Sequence, residues 1–162
     1  TIIGPLINRK QLDVALSRIK TAQDSGVRQI LGGPPEGLVL PPHIFTNVPG
    51  SSELAQSEQF APIAPLICAV DESEALRIAN DTPFGLSSAV FTENESRGMR
   101  FAKRLDTGMT HINDITLNDE PNVMFGGEKN SGIGRFNSDW IIDELTTDHW
   151  ISVQSEPRNY PF

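Results

Sequence analysis

Apolar residues recur at a helical spacing along the first part of the chain. Between Asn8 and about Ser25 the recurring apolar positions are Leu12, Ala15, Leu16, Ile19 and Ala22. Residues three and four apart lie on one face of an α-helix, so the pattern predicts an amphipathic helix. Asn8 is a favoured N-cap and Gly26 a favoured residue just beyond a helix end, which sets both limits.

The rest of the chain alternates between short helical and strand-like segments. The predicted strands are residues 27–31, 43–48, 63–70, 87–92, 109–113 and 149–154, and the predicted helices are residues 52–56, 72–80, 94–105 and 138–145. Residues 63–70 are nearly continuous in apolar side chains, which is typical of a strand buried on both faces. This order predicts an α/β fold with a largely parallel sheet flanked by helices.

Residues 114–131 have no clear period. They are too long for an ordinary connection, so the sequence predicts a functional loop there. Near its end, Gly126 and Gly127 permit a tight turn after Phe125 and a close approach of that ring to a buried site.

Composition and charge narrow the class of protein. The 162 residues include 13 basic and 21 acidic side chains, for a formal net charge of −8. A nucleic-acid surface needs clustered Lys and Arg, so we expect no nucleic-acid partner. No apolar run approaches the roughly 20 residues of a membrane helix, so we expect no membrane partner. The chain begins at Thr1 rather than Met, inside a patterned segment, and we expect a processed or truncated piece.

Cys68 is the only cysteine, so no internal disulfide and no cysteine-based zinc cluster is possible. A reducing, cytoplasmic location is the expectation. Because Cys68 lies in the apolar run 63–70, the sequence predicts a buried, unreactive thiol. The histidines, His43, His111 and His149, lack metal-ligand spacing, and we expect no metal.

Three further patterns are only weak evidence for a functional site. Lys129 and Arg135 suggest a phosphate loop, but the Walker pattern is absent, and Gly132-x-Gly134 lacks the third glycine and the preceding strand of a dinucleotide fingerprint. The adjacent carboxylates Asp119 and Glu120 are better interpreted as solvated loop anions than as an acid–base pair.

Glu58 lies on a loop just before the predicted strand 63–70. A carboxylate there can accept hydrogen bonds from both hydroxyls of a ribose, and each such charge-assisted bond contributes about 1.5–3 kcal/mol. From the residues alone, the favoured interpretation is instead a solvated carboxylate at a helix end, with Phe60 as a core aromatic.

Four stretches form an ordered set along the chain. They are residues 4–7 (GPLI), 58–63 (EQFAPI), 79–86 (ANDTPFGL) leading into 89–92 (AVFT), and 125–135 (FGGEKNSGIGR). Together they resemble the aldehyde dehydrogenase superfamily, from just beyond its catalytic cysteine to its C-terminus. The resemblance covers nearly the whole chain.

The resemblance implies a cofactor site. Glu58 matches the glutamate that binds the nicotinamide ribose of NAD or NADP in that family, and Phe60 packs beside it. Ala61 stands where the family usually has Gly, a departure that restricts the backbone slightly.

A substrate pocket is also implied. Phe125 matches a residue that lines the aldehyde tunnel, and the loop after Asn113, with Thr116 and Leu117, matches the border of the substrate pocket. Met124 replaces the family's common Pro, so the approach of this loop differs.

Three features resemble the subgroup that acts on aromatic aldehydes, the benzaldehyde, vanillin and salicylaldehyde dehydrogenases. They are residues 111–114 (HIND), residues 118–121 (NDEP) and Phe136, where many enzymes for aliphatic aldehydes carry Glu. An aromatic ring at that position cannot relay a proton, so the resemblance implies a different relay.

The family's catalytic cysteine lies in a Gly-Gln-x-Cys segment and its general base in a Glu-Leu-Gly-Gly-Lys segment, and neither occurs in this sequence. The resemblance therefore implies that residues 1–146 are the distal part of a catalytic domain. It implies that residues 147–155 are an oligomerisation strand and residues 156–162 a weakly ordered tail.

Two functions stay open at this point. One is the C-terminal segment of an NAD(P)-dependent dehydrogenase that oxidises an aromatic aldehyde to its carboxylate and assembles as a homo-oligomer, the isolated chain being inactive. The other is a non-catalytic structural or association fragment.

Overall fold

A computed structural model describes residues 3–161. Its helices are α1 Arg9–Asp24, α2 Glu53–Gln56, α3 Glu72–Asn80, α4 Glu95–Ala102 and α5 Trp140–Leu145. Its strands are β1 Arg28–Leu31, β2 His43–Thr46, β3 Ile63–Leu66, β4 Phe84–Gly85, β5 Ser87–Val90, β6 Met109–Ile112 and β7 Glu128–Lys129. None of these helices has the length and apolar character needed to cross a bilayer. Residues 1, 2 and 162, at the outer limits of the predicted body and tail, lie outside the described residues.

The first helix forms as the sequence predicts. The side chain of Asn8 accepts a hydrogen bond from the backbone N–H of Gln11 at 2.9 Å, which satisfies one of the free donors of the first turn. Gly26, just beyond the helix, has φ +80°, a conformation that glycine adopts without strain. The buried face consists of Leu12, Ala15, Ile19 and Ala22.

The described strands form three small sheets rather than the one largely parallel sheet that the pattern predicts. The strand orders are β1-β2-β3, β4-β7 and β5-β6. The pairs β2–β3 and β5–β6 are parallel, whereas β1–β2 and β4–β7 are antiparallel. The connections explain the two parallel pairs, because α2 lies between β2 and β3 and α4 lies between β5 and β6, and each provides the crossover that parallel strands need. No helix lies between β1 and β2, which are joined by residues 32–42 with the Glu36–Val39 bridge among them.

The hydrophobic core lies between α1 and the first sheet. Phe45 of β2 and Leu12 of α1 are both 0% exposed, and Leu40 is 1% exposed. Leu54 of α2 and Ile63 of β3 complete this cluster. The core therefore lies directly behind the loop between α2 and β3, which carries the predicted cofactor residues.

The second half of the chain leaves much apolar surface open. The described residues expose 11850 Å², whereas a compact monomer of 17.8 kDa exposes about 8000 Å². Leu145 at the end of α5 is 74% exposed, and Trp150 and Val153 are 90% and 88% exposed. Several large apolar side chains of this half of the chain are therefore exposed to solvent.

The prediction that the thiol of Cys68 is buried is wrong. Strand β3 ends at Leu66, and Cys68 is exposed, with its Sγ 3.7 Å from Oδ1 of Asn47. The apolar run 63–70 predicts a strand covered on both faces. In this chain only one face of β3 packs on the core, since Ile63 is buried and Leu66 is 46% exposed.

The predicted strand 149–154 is also not present as a strand in the described chain. Residues 146–161 contain neither helix nor strand. A strand exists only through hydrogen bonds to a neighbouring strand, and none of the described strands pairs with residues 149–154. Their association with another subunit stays a prediction.

Candidate functional site

Glu58 and Phe60 lie on the loop between α2 and β3. The ring of Phe60 is 72% exposed and its φ is +44°. The ring is therefore outside this chain's core, contrary to the interpretation of Phe60 as a core aromatic. Glu58 is exposed, and within residues 3–161 its carboxylate accepts no hydrogen bond from the protein. Both side chains are available to a ligand.

Glu58 lines a cleft of ≈ 500 Å³ that extends from α2 to the turn after β7. Hydroxyl side chains also line this cleft, among them Ser88 and Thr107, whose oxygens are 2.9 Å apart. A cleft with an acceptor carboxylate and several hydroxyls suits a ligand rich in hydroxyl groups.

Asn80 joins three segments beside this cleft. Its Nδ2 donates to the carbonyl of Arg104 at 2.9 Å, and its Oδ1 accepts from the N–H of Asp106 at 3.0 Å. Its own carbonyl accepts from Nζ of Lys129 at 2.7 Å. Two of the stretches that carry the family resemblance, 79–86 and 125–135, are thereby held together.

The same two stretches meet again at Gly85. Its N–H donates to Oγ of Ser131 at 2.9 Å, and the N–H of Asn130 donates to the carbonyl of Pro83 at 3.0 Å. The sequence predicted a functional loop for residues 114–131 but not that β7, inside it, pairs with β4.

Gly108 and Gly126 cross with their backbones in contact. A Cβ atom at Gly108 would lie 1.7 Å from the carbonyl oxygen of Gly126, so only glycine fits. Gly126 and Gly127 are both buried. The sequence identified these two glycines, but nothing in its pattern pointed to Gly108.

Phe125 lies directly before this crossing. It is half-buried and forms an antiparallel bridge with Phe136, with N–H···O distances of 3.0 Å and 2.8 Å. It lines a second cavity of ≈ 320 Å³ together with Met109, Met124 and the loop residues 118–120. The cavity wall is thus partly apolar and partly acidic.

Arg135 and Glu144 hold the far side of that loop. Nη1 of Arg135 donates to the carbonyls of Gly127 and Gly134 at 3.1 Å and 3.0 Å, and its Nη2 pairs with Glu128. The carboxylate of Glu144 accepts from the N–H of Arg135 at 3.0 Å. Arg135 therefore fixes the geometry of this loop.

The other predicted pocket residues lie elsewhere in the described chain. Asn113 has φ +58°, and its Oδ1 accepts from the N–H of Thr92 at 2.7 Å, which anchors the end of β6 to β5. The carbonyl of Thr116 accepts from Oγ of Ser87 at 3.1 Å, and Leu117 is 83% exposed. These three do not line the cavity of Phe125, whereas residues 118–120 do.

Two of the histidines, His43 and His111, have a partly or fully buried ring nitrogen. Nδ1 of His43, which is buried, lies 2.7 Å from the carbonyl of Pro41. Nε2 of His111 is buried without a hydrogen-bond partner in the described chain, and the residue lines the Phe125 cavity. Over residues 3–161, no three His, Cys, Asp or Glu side chains are grouped so as to hold a metal ion.

Comparison with known proteins gives a consistent result. A model of the aldehyde dehydrogenase family matches residues 1–151. Benzaldehyde dehydrogenase YfmT of Bacillus subtilis is 48% identical over 162 residues, which is 100% of this chain and 33% of that protein. The chain thus spans about a third of the length of the curated relatives it matches.

Solved structures agree. The crystal structure of a salicylaldehyde dehydrogenase from Pseudomonas putida G7, complexed with salicylaldehyde, has a TM-score of 0.91 and 36% identity, covering 99% of this chain and 33% of that chain. A Mycobacterium tuberculosis aldehyde dehydrogenase complexed with NAD+ has a TM-score of 0.84 and 35% identity, covering 90% and 31%.

Proposed function

The chain belongs to the aldehyde dehydrogenase family, and we propose that it is the distal third of an NAD(P)-dependent enzyme that oxidises an aromatic aldehyde to its carboxylate. The observation that carries this proposal is the 48% identity to a benzaldehyde dehydrogenase over the whole chain. A cytoplasmic location is part of the proposal, since the sequence has one cysteine and no internal disulfide.

In the proposed reaction, an upstream cysteine thiolate would attack the aldehyde carbon, and an upstream glutamate would activate the water that releases the carboxylate. Bound NAD(P)+ supplies the hydride acceptor. This chain contains neither the Gly-Gln-x-Cys nor the Glu-Leu-Gly-Gly-Lys segment, so its own contribution is binding and orientation.

Glu58 and Phe60 fit the cofactor. The exposed carboxylate of Glu58 accepts no hydrogen bond from the described protein and borders a cleft of ≈ 500 Å³. Two ribose hydroxyls would satisfy its oxygens. The exposed ring of Phe60, on the same loop, offers an apolar wall beside that ligand. NAD and NADP both suit these residues.

The aldehyde is proposed to bind in the cavity lined by Phe125. The aromatic and thioether side chains that line this cavity offer the polarizable contacts that an aromatic ring prefers. Asn113, Thr116 and Leu117 are proposed to border the same pocket in the complete enzyme, where further protein covers the exposed loop.

The test of the proposed function compares two proteins. The complete enzyme that contains this chain is expected to reduce NAD(P)+ with benzaldehyde, vanillin or salicylaldehyde faster than with an aliphatic aldehyde. The isolated chain is expected to show no aldehyde-dependent reduction with either cofactor. Turnover by the isolated chain that is lost in Cys68→Ala would overturn the assignment of the nucleophile to an upstream segment. A complete protein without turnover would favour the non-catalytic alternative.

The segment 147–155 is proposed to join a neighbouring subunit as a strand. Trp150, Ile151 and Val153 are 90%, 72% and 88% exposed, so their burial at a subunit interface would be favourable. Truncation before Thr147 in the complete enzyme should reduce self-association while the remaining fold persists. Light scattering at several concentrations measures the mass, and equal masses for the intact and truncated proteins would contradict this role.

A further inference from the structure

The loop that carries Glu58 and Phe60 needs external support. No helix or strand includes residues 57–62, and Phe60 has φ +44°. A non-glycine residue with positive φ persists only where surrounding contacts hold it there. The contacts that hold this loop therefore decide where the Glu58 carboxylate points.

Two side chains of α1 provide these contacts. Nη1 of Arg18 donates to the carbonyl of Glu58 at 2.7 Å and lies 3.4 Å from Oε1 of Gln59. Nε2 of Gln11 donates to the carbonyl of Gln59 at 2.9 Å. Gln11 and Arg18 are about two helical turns apart and thus share one face of α1.

Arg18 is itself fixed. Its Nε donates to Oε1 of Glu53 at 3.0 Å, and its side chain is only 17% exposed. A guanidinium presents donors in a rigid fork, so Arg18 holds Glu53 with one nitrogen and the Glu58 carbonyl with another. The ion pair thereby anchors the group that holds the loop.

Gln59 completes the arrangement from inside the loop. Its Nε2 donates to the carbonyls of Leu54 and Ser57 at 2.9 Å and 2.6 Å. The side chain between Glu58 and Phe60 thus points back to α2, while its neighbours on both sides are exposed.

We propose that Arg18, with Gln11 and Gln59, positions the Glu58–Phe60 loop for the nicotinamide ribose, so that Arg18 sets cofactor affinity without touching the cofactor. This inference rests on the proposed cofactor role of Glu58. Arg18 is a positioning residue, because its contacts are to the backbone and to the side chains of Glu53 and Gln59.

The test uses Arg18→Met in the complete enzyme, which keeps an unbranched apolar stem and removes the guanidinium with all its donors. The KM for NAD(P)+ should rise about five- to tenfold, less than the loss of a charge-assisted hydrogen bond to the cofactor itself would cause, because Arg18 acts only through the loop. The KM for the aldehyde should stay unchanged. Arg9→Met is the matched control, because Arg9 lies on the same helix and, among residues 3–161, its side chain pairs only with Asp13, both side chains being largely exposed.

A double-mutant cycle separates positioning from general stability. If Arg18 acts through Glu58, the effect of Arg18→Met on the cofactor KM shrinks in a Glu58→Gln background. Additive effects, or an unchanged cofactor KM in Arg18→Met, would overturn the inference while leaving the role of Glu58 intact. If Glu58→Gln by itself leaves the use of the cofactor unchanged, both the proposed cofactor site and this inference are wrong.

If the Arg18→Met enzyme fails to fold, the milder variant Gln11→Met tests the same inference. Gln11→Met removes only the bonds from α1 to the carbonyls of Gln59 and Phe60. It should also raise the KM for the cofactor, by a smaller factor than Arg18→Met does. An unchanged cofactor KM in a folded Gln11→Met enzyme counts against the positioning role.

Discussion

Replacing Glu58 by glutamine in the complete enzyme should slow hydride transfer by roughly 5- to 150-fold, since a lost ionic acceptor costs about 1–3 kcal/mol. The amide keeps the size of the side chain but loses the charge that the ribose hydroxyls need. A ribose held less firmly lets the nicotinamide ring tilt away from the aldehyde carbon, and small displacements of reacting atoms reduce rates steeply. Substrate binding should change less than the rate.

Single-turnover measurement of cofactor reduction gives the rate directly. Benzaldehyde deuterated at the aldehyde carbon adds a second readout, because slower hydride transfer should increase the isotope effect on kcat. Glu93→Gln is the matched control: it makes the same change of charge at an exposed residue that has no hydrogen-bond partner in the described chain. A Glu58→Gln enzyme with the wild-type single-turnover rate would contradict the cofactor assignment.

Gly108→Ala should destabilise the complete enzyme by about 3 kcal/mol or more, at or beyond the upper end for overpacking. The added Cβ would lie 1.7 Å from the carbonyl oxygen of Gly126 and 3.1 Å from Cα of Gly127. Both neighbours are backbone, so no side-chain rotation relieves the overlap. The loop that carries Phe125 would have to move, and the KM for the aldehyde should rise together with the loss of stability.

A graded series makes this prediction sharper. At Gly126 a Cβ would lie 2.5 Å from the carbonyl oxygen of Gly134, and at Gly50 it would meet nothing within 4 Å. The unfolding midpoint should therefore fall most for Gly108→Ala, less for Gly126→Ala and hardly at all for Gly50→Ala. A Gly108→Ala enzyme as stable as Gly50→Ala would show that the two backbones do not cross in the complete enzyme.

The positions of the helices followed from the sequence because helix limits depend on neighbouring residues. Asn8, Asp71 and Asn94 each accept a hydrogen bond from the backbone N–H three residues on, at 2.9, 2.8 and 2.9 Å. Such contacts join residues only three positions apart, so they can be predicted from the local sequence. The predicted helices accordingly begin within two residues of those observed. The family followed in the same way, from four short stretches in a fixed order.

Strand pairing and burial were not determined locally. An apolar run favours a strand but does not say how many of its faces are covered, and Cys68, expected in the core, is exposed. Strand β7 escaped prediction because its two residues pair with β4, more than forty positions earlier, and have no apolar period of their own.

The loop that carries Glu58 and Phe60 shows the same difference between local and long-range contacts. The sequence by itself determined that Glu58 and Phe60 are the residues to consider, since their chemistry and their spacing match the family. Only the tertiary structure decided that Arg18, 40 residues away along the chain, holds the loop at 2.7 Å. It likewise decided that Gly108 meets Gly126. The physical reason is that a contact between distant residues depends on the packing of α1, the sheets and the loops together, whereas a cap or a motif depends on a few consecutive side chains.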